Sequence, residues 1–188
     1  LSPFSPTSEN RRIANKFDHK LSCTVSSFEK FKTGNNFKTF CIDYFAKRHG
    51  PSLMPEKRLD TILNTGLVTH VVSYHKDDKP AAYVLEVSDD EMTHFWYSFY
   101  DTSLVNQSLG MWLMLDSARR AKSVGRSYLY IGTVFGEKAM YKTAFTDIEY
   151  WNGQEWVANK NQLKKLGRSD HERKLDITDD WKSGMELF

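Results

Sequence analysis

The sequence predicts an α/β fold (α+β in its ordering), with a mixed, mainly antiparallel sheet flanked by helices, in a single domain over residues 1–188. Three observations predict it. Leu67 to Tyr74, Pro80 to Val87 and Met92 to Tyr100 are runs rich in β-branched and aromatic residues. The short polar turns HKDDK and SDDE join them, as in an antiparallel meander. Next, Leu109, Trp112, Leu113, Leu115, Ala118 and Ala121 recur mostly three or four apart, which is one face of a helix. Finally, Tyr128-Leu129-Tyr130-Ile131-Gly132 reads as a buried strand. Strand, loop, helix and strand form a βαβ unit, which adds a parallel strand and puts chemistry at the loop after its first strand.

The remaining elements follow in chain order. Leu1 to Ser8 is rich in proline and serine and reads as extended, after which Thr7 or Ser8 caps a short helix with Glu9 in its first turn. His19 to Ser27 alternates weakly, as an edge strand does. Phe37, Phe40, Cys41, Tyr44 and Phe45 predict a helix after Asn36 that Gly50-Pro51 ends, and Pro55 opens a shorter one closing near Gly66. On the central helix, Arg119, Arg120 and Lys122 crowd the last turn, where cations suit the negative helix end, and Gly125 stops it. Phe135 to Ala144 predicts a short helix, and Ile148 to Val157 a small hairpin with Asn152-Gly153 at its turn. The tail from Ala158 is charged and reads as helical or loose.

Composition narrows the function classes. Twenty-six basic against twenty-four acidic residues leave no global field for nucleic acid, so any such contact must be local. The two cysteines, Cys23 and Cys41, lack CxxC spacing and a histidine set, which predicts free buried thiols and no metal site. No apolar run approaches the roughly twenty residues of a membrane span, and the start lacks the apolar stretch of a signal peptide. A cytoplasmic protein with no membrane partner is expected.

A meander followed by a helix and a parallel strand is the order of the acyltransferase fold typified by acetyl-CoA-dependent (GNAT) N-acetyltransferases, and fold alone does not fix function. Those enzymes bind pyrophosphate on a [QR]xxGx[GA] loop opening the central helix, where small residues let N–H groups approach phosphate. Gln107-Ser108-Leu109-Gly110-Met111-Trp112 fits the first half and then places an indole where a small residue is needed. Trp112 is expected to obstruct the cradle.

The strings FYD, SLG, YLYIG and EKAMYK, in that order from Phe99 to Lys142, resemble the C-terminal catalytic region of aminoacyl-tRNA–protein transferases, the arginyl and leucyl transferases. Phe4 to Arg12 is similar to the FxPxxxxRR opening of the bacterial branch, and Phe40 to Gly50 to its YxxYLxxRH segment. The resemblance runs from about Phe4 to Leu166. It implies a GNAT-like fold and transfer of arginine or leucine from charged tRNA to a protein's N-terminal amine, in the manner of protein arginylation and N-degron marking. It implies no cofactor: aminoacyl-tRNA is the co-substrate and an acceptor protein or peptide the partner. The family's N-terminal cysteine module is absent from the sequence. Thr102 stands where the family has proline after Tyr-Asp, and Gly136-Glu137 where it has Cys-Pro, which leaves donor and acceptor specificity open. An acyl-CoA-dependent N-acetyltransferase and a non-catalytic tRNA- or degron-binding homologue are the alternatives.

An aminoacyl ester is already activated, so positioning and oxyanion donors matter more than a strong base. Asp101 is a candidate to hold the attacking ammonium or a cationic donor group, or else a turn residue. Tyr130 is a candidate proton donor to the leaving hydroxyl, with Gly132 allowing close backbone approach, while Tyr128 reads as a packed strand residue. Ser108 and Gly110, at the helix opening, suit an anion. Lys138, Tyr141 and Lys142 form a cationic cluster for phosphates or an acidic acceptor, with the two lysines sharing a face at helical spacing. Arg11, Arg12 and Lys16 are candidates to grip tRNA phosphates. Glu86 reads as an exposed strand residue, with a buried carboxylate the alternative.

Overall fold

The computed structural model of the protein describes residues 1–169, without the side chains of residues 105–107, 137 and 138. It falls into two compact units: residues 1–2 with 6–132, and residues 3–5 with the chain from 133 onward.

The first unit is built on a five-stranded sheet in the order β1-β2-β3-β4-β5. The strands are β1 (Ser22–Ser27), β2 (His70–Lys76), β3 (Lys79–Ser88), β4 (Met92–Tyr100) and β5 (Tyr128–Tyr130). The first four pair antiparallel in chain order, because each turn is too short for anything but a hairpin or an edge return. β5 pairs parallel to β4, reached through helix α4 (Leu109–Ser123). This is the GNAT-like mixed sheet that the sequence predicts.

Strand alternation sorts the side chains to two faces. Tyr83 of β3 and Phe99 of β4 meet helix α2 (Asn35–His49) through Phe37, Phe40, Tyr44 and Phe45. Helix α3 (Glu56–Leu63) buries Leu59, Ile62 and Leu63. On the other face Tyr74 meets Trp112 of α4, which in turn packs on Phe17 of helix α1 (Ser8–Phe17).

The helix ends obey their sequence. Thr7 Oγ1 accepts the Asn10 N–H and Asn10 Oδ1 accepts the Thr7 N–H, a reciprocal cap. At the far end of α4, Gly125 takes φ +83° while its N–H bonds Lys122 O and the Arg126 N–H bonds Ala121 O.

Some expectations are corrected. β5 is not a buried strand: it is a three-residue edge with Tyr128 53% and Tyr130 40% exposed. An edge strand has one covered face at most, so Tyr128 is not a packed core residue. Cys23 is likewise exposed on edge strand β1, while Cys41 is buried. Arg119 and Arg120 do not serve the helix end. Their guanidiniums reach the carboxylates of Asp18 and of Asp116 and Glu86, because an opposite charge beats a half-charge of dipole.

The second unit contains a 3-10 helix over Glu137–Ala144, a hairpin of β6 (Tyr150–Trp151) and β7 (Trp156–Val157), and a helical segment over residues 160–169. Asn152 Oδ1 accepts the N–H groups of Gln154 and Glu155, and Gly153 adopts φ +105°, which holds the turn. Phe4 packs on Phe145, 6.2 Å between ring centroids. The sequence beyond residue 169, including the rest of the charged tail, lies outside the described residues.

Candidate functional site

The parallel pairing of β4 with β5 covers only Met92 to His94 against Tyr128 to Tyr130. From Phe95 to Tyr100, β4 has no strand partner on that side. Two local causes part the strands. Trp96 is an extra residue on β4, where the register with β3 shifts between Leu85 and Glu86. Gly132, two residues past β5, turns the chain at φ +75°, a conformation that side chains with a Cβ resist.

The direction of the freed backbone groups follows from one bond. The Asp101 N–H donates to Ala81 O at 2.9 Å, which makes that pair the bonded kind. Alternation then turns the backbone of Phe99 toward β3 and that of Ser98 and Tyr100 toward the parted edge. A cleft with strand-like hydrogen-bonding capacity lies along β4.

The opening of α4 stands at one end of this cleft. Ser108 is its N-cap in a left-handed conformation (φ +69°) and its side chain makes no capping bond. Gly110 sits under the phenol of Tyr100: a Cβ built on it would lie 2.9 Å from the hydroxyl and 3.2 Å from Cζ. Tyr100 is itself held by Tyr44, 4.6 Å between centroids.

Trp112 is not at this opening. Its ring is buried against Phe17 and Tyr74, and its Nε1–H donates to Asp18 Oδ1 at 2.8 Å. The expected obstruction is thereby corrected. At the fourth helical position the side chain points inward, toward the apolar stripe of α4, so the indole leaves the N–H groups of the first turn alone. What narrows the opening is Tyr100, which sequence reading missed although it closes the aromatic alternation of β4.

The candidate residues of the first unit distribute along the cleft. Asp101 is exposed at the C-terminal end of β4, where its Oδ1 accepts the Ser103 N–H at 2.8 Å as a turn residue does. Tyr130 is at the other end, its ring 6.1 Å from that of His94. Seven residues of strand separate His94 from Asp101, roughly 20 Å at the rise of a β-strand. Asp101 and Tyr130 do not converge on one reacting atom. Gly110 and Ser108 lie beyond the Asp101 end; Gly132 lies near Tyr130.

Arg11, Arg12 and Lys16 are on α1. Arg12 makes a two-pronged exposed pair with Glu9 (2.6 and 2.7 Å), and Arg11 donates to Pro6 O. The three present cationic groups on one surface helix.

In the second unit, Tyr141 is 46% exposed and Lys142 Nζ donates to Thr133 O at 2.9 Å. Burial draws the Lys142 ammonium below its ordinary value. The Lys138 side chain lies outside the described residues. The expected face-sharing of Lys138 and Lys142 is corrected, because their segment is a 3-10 helix. At three residues per turn, positions four apart are turned by about 120°, and Tyr141 falls in line with residue 138 instead.

A buried polar network that sequence reading treated as surface lies beneath the sheet. Glu86 is 3% exposed, so its expected solvent face is corrected: register places it on the α4 side. Arg120 Nη2 donates to Glu86 Oε1 (2.7 Å), Arg120 Nε to Asp116 Oδ2 (2.8 Å), and Ser117 Oγ to Glu86 Oε1 (2.6 Å). Tyr74 donates to Asp116 Oδ2 at 2.7 Å, its own phenol pushed up chiefly by burial. This network fixes α4 to β2 and β3, and so fixes where its opening stands.

Among the described residues, no three His, Cys, Asp or Glu side chains gather as metal ligands would, and no helix is long and apolar enough to cross a membrane.

Comparison with known proteins adds the family. Residues 15–152 match the model of "Arginine-tRNA-protein transferase, C terminus". The chain belongs to this family. Within it, the chain is similar to an aspartate/glutamate leucyltransferase of Ruegeria sp. (strain TM1040), 28% identical over 169 residues, which are 86% of this chain and 60% of that relative. The enzyme of the same name from Parvibaculum lavamentivorans is 32% identical over 124 residues, 62% of this chain and 51% of the relative. The chain therefore spans about 60% of the length of the first of these relatives. Among solved structures, it resembles the C-terminal domain (DUF2156) of a putative lysylphosphatidylglycerol synthetase from Agrobacterium fabrum. The TM-score is 0.53 at 12% identity, covering 76% of this chain and 47% of that one, a likeness of fold.

Proposed function

We propose that this family member transfers an amino acid from charged tRNA to the N-terminal α-amine of a protein or peptide, forming a peptide bond. Leucine is the residue proposed, and an N-terminal aspartate or glutamate the acceptor, after the names of the leucyltransferases it resembles; arginine is the second donor to test. The observation that carries this reading is the parted β4–β5 edge running from the α4 opening to Tyr130, in a chain whose family works on aminoacyl-tRNA.

The chemistry asks little of a base. An α-amine with an ordinary pKa of about 7.7–8.0 is neutral to the extent of about a tenth at pH 7. It attacks the ester carbonyl, the C–O bond to the ribose breaks, and the ribose oxygen leaves with a proton. Ser98 and Tyr100 backbone groups hold an extended substrate along β4, as an added strand would be held. The N–H groups around Ser108 and Gly110 receive a phosphate at the helix end. Tyr130 gives a proton to the leaving hydroxyl, and Gly132 keeps the approach clear. Asp101, about 20 Å away along β4, takes a cationic group at the other end of the cleft rather than at the reacting carbon. Arg11, Arg12 and Lys16 contact tRNA phosphates, and Lys138, Tyr141 and Lys142 serve phosphates or an acidic acceptor side chain. No cofactor is needed, since the ester supplies the activation. Charged tRNA places the reaction in the cytoplasm.

The test is incubation with leucyl- and arginyl-tRNA and peptides beginning with Asp, Glu, Arg or Lys, read by mass. The expected product is Asp- or Glu-peptide extended by one leucine. Acetylation from acetyl-CoA without any gain from charged tRNA would replace this reading with that of an N-acetyltransferase. Binding of tRNA without transfer would leave a recognition module.

A further inference from the structure

Unit 2 carries a pair of surface tryptophans that the transfer reaction leaves unused. In the hairpin, Trp151 lies directly opposite Trp156 and Tyr150 opposite Val157. Opposed residues share a face, so both indoles project together while Tyr150 and Val157 occupy the other side. The indoles are 54% and 50% exposed, 5.7 Å between centroids and tilted by 59°. Each leaves about half its surface to solvent.

Charge follows immediately. From residue 157 to 169 the chain has Lys160, Lys164, Lys165 and Arg168 and no carboxylate. Residues 160–169 are helical, with Leu163 and Gly167 buried. At 100° per residue, Lys164, Arg168 and Lys165 fall within an arc of about 100° beside that buried stripe. Lys160 Nζ is tied to Phe145 O at 3.0 Å, and burial together with Lys164 lowers its ammonium. The basic charge is presented by the three others.

We propose that Trp151 and Trp156 form a stacking platform for unpaired RNA bases, with Lys164, Lys165 and Arg168 holding the adjoining phosphates. Exposed aromatics beside a carboxylate-free cationic stripe are the two parts that single-stranded nucleic acid requires: a face for each base and charge for the backbone. A docking site for a protein would be expected to mix charges at its rim, and this segment does not. The inference rests on the aminoacyl-tRNA reading and names the part of the donor recognised: its unpaired 3′ end. Trp156 and the basic helix lie beyond residue 152, where the family match ends. The platform is thus a property of this chain's own sequence.

The test uses two RNA minihelices of one acceptor-stem sequence, one with an unpaired 3′ end and one blunt. The whole protein should prefer the unpaired end by about tenfold or more, the range that one stacked base provides. Trp151→Ala with Trp156→Ala should abolish that preference, and the paired phenylalanine variant should keep most of it. Lys164→Gln, Lys165→Gln and Arg168→Gln together should weaken both probes alike and reduce the salt slope by about two to three. Because the tryptophans also steady the hairpin, the phenylalanine and glutamine variants decide if the alanine variant fails to fold. Equal binding of the two probes by the wild type overturns the proposal, as does an unchanged salt slope in the glutamine variant. An alanine variant that raises KM for the acceptor peptide and leaves RNA binding intact overturns it in favour of a protein surface. Transfer with unaltered KM for charged tRNA in that folded variant sinks the platform and leaves the transferase standing. Preference for the unpaired end without any transfer does the reverse.

Discussion

The phenol of Tyr100 lies over Gly110, its hydroxyl 2.9 Å from where a side-chain carbon on that glycine would begin. The last residue of β4 and the first turn of α4 are thereby fitted to each other. This contact sets the width of the helix opening at one end of the cleft.

Gly110→Ala should therefore destabilise the protein. On an open helix the change would gain up to about 1 kcal/mol from backbone entropy. Here overpacking against a phenol braced by Tyr44 opposes it and costs about 1–3 kcal/mol, so a net loss of about 1–2 kcal/mol is expected. Tyr100→Phe removes the closest atom, and chemical denaturation of the double variant should show a loss smaller than that of Gly110→Ala alone. Equal stability of Gly110→Ala and wild type would mean the opening is looser than described.

Arg120→Met should cost about 3–5 kcal/mol, since it strands Glu86, 3% exposed, without its cation. Adding Glu86→Gln should recover a large part of that loss, because the second change removes the stranded charge. Thermal unfolding of the two single variants and the double one reads the coupling. Simple additivity would rule out the pair as a unit.

Acid should act through Asp18. The hydrogen bond from Arg119, opposed by burial and aided by the Trp112 N–H, holds its carboxyl below the usual carboxylate range. A folded pKa below the unfolded value of about 3.9 means that the stabilisation is complete above that value. It is lost as pH falls through the folded pKa. Asp18→Asn should be less stable than wild type at pH 6 by urea titration, with the gap closing below about pH 4. A gap that persists unchanged into strong acid would exclude this assignment.

The two thiols should label differently. Burial pushes Cys41 far above its ordinary value, and the chain around it admits no reagent. Cys23 is exposed, with burial of its sulfur environment raising it more modestly. Alkylation of the native protein at pH 8.5 should modify Cys23 alone, and Cys41 only after denaturant is added. Mass analysis of digested protein distinguishes the sites; modification of Cys41 in the native state would show that α2 opens.

Periodicity alone placed β2 to β4, α2 and α4, since burying one face of a strand or helix leaves a repeat that any tertiary setting preserves. Caps and turns were equally legible, Thr7 with Asn10 and Gly125 among them, because those bonds close within a few residues. The order of short motifs from Phe99 to Lys142 pointed to the family that residues 15–152 match. What tertiary structure alone decided depends on partners distant in sequence. Trp112 turned inward because Phe17, Asp18 and Tyr74 wait there, from as far as ninety-four residues away. Glu86 went under the sheet because the register with β2 and the arrival of Arg120 gave its charge a buried counterpart. The 3-10 winding of Glu137 to Ala144 separated two lysines that an α-helical spacing would have aligned. Local rules fix what a segment prefers; which side chain meets which across the core is settled only when opposite charges and ring faces compete for the same space.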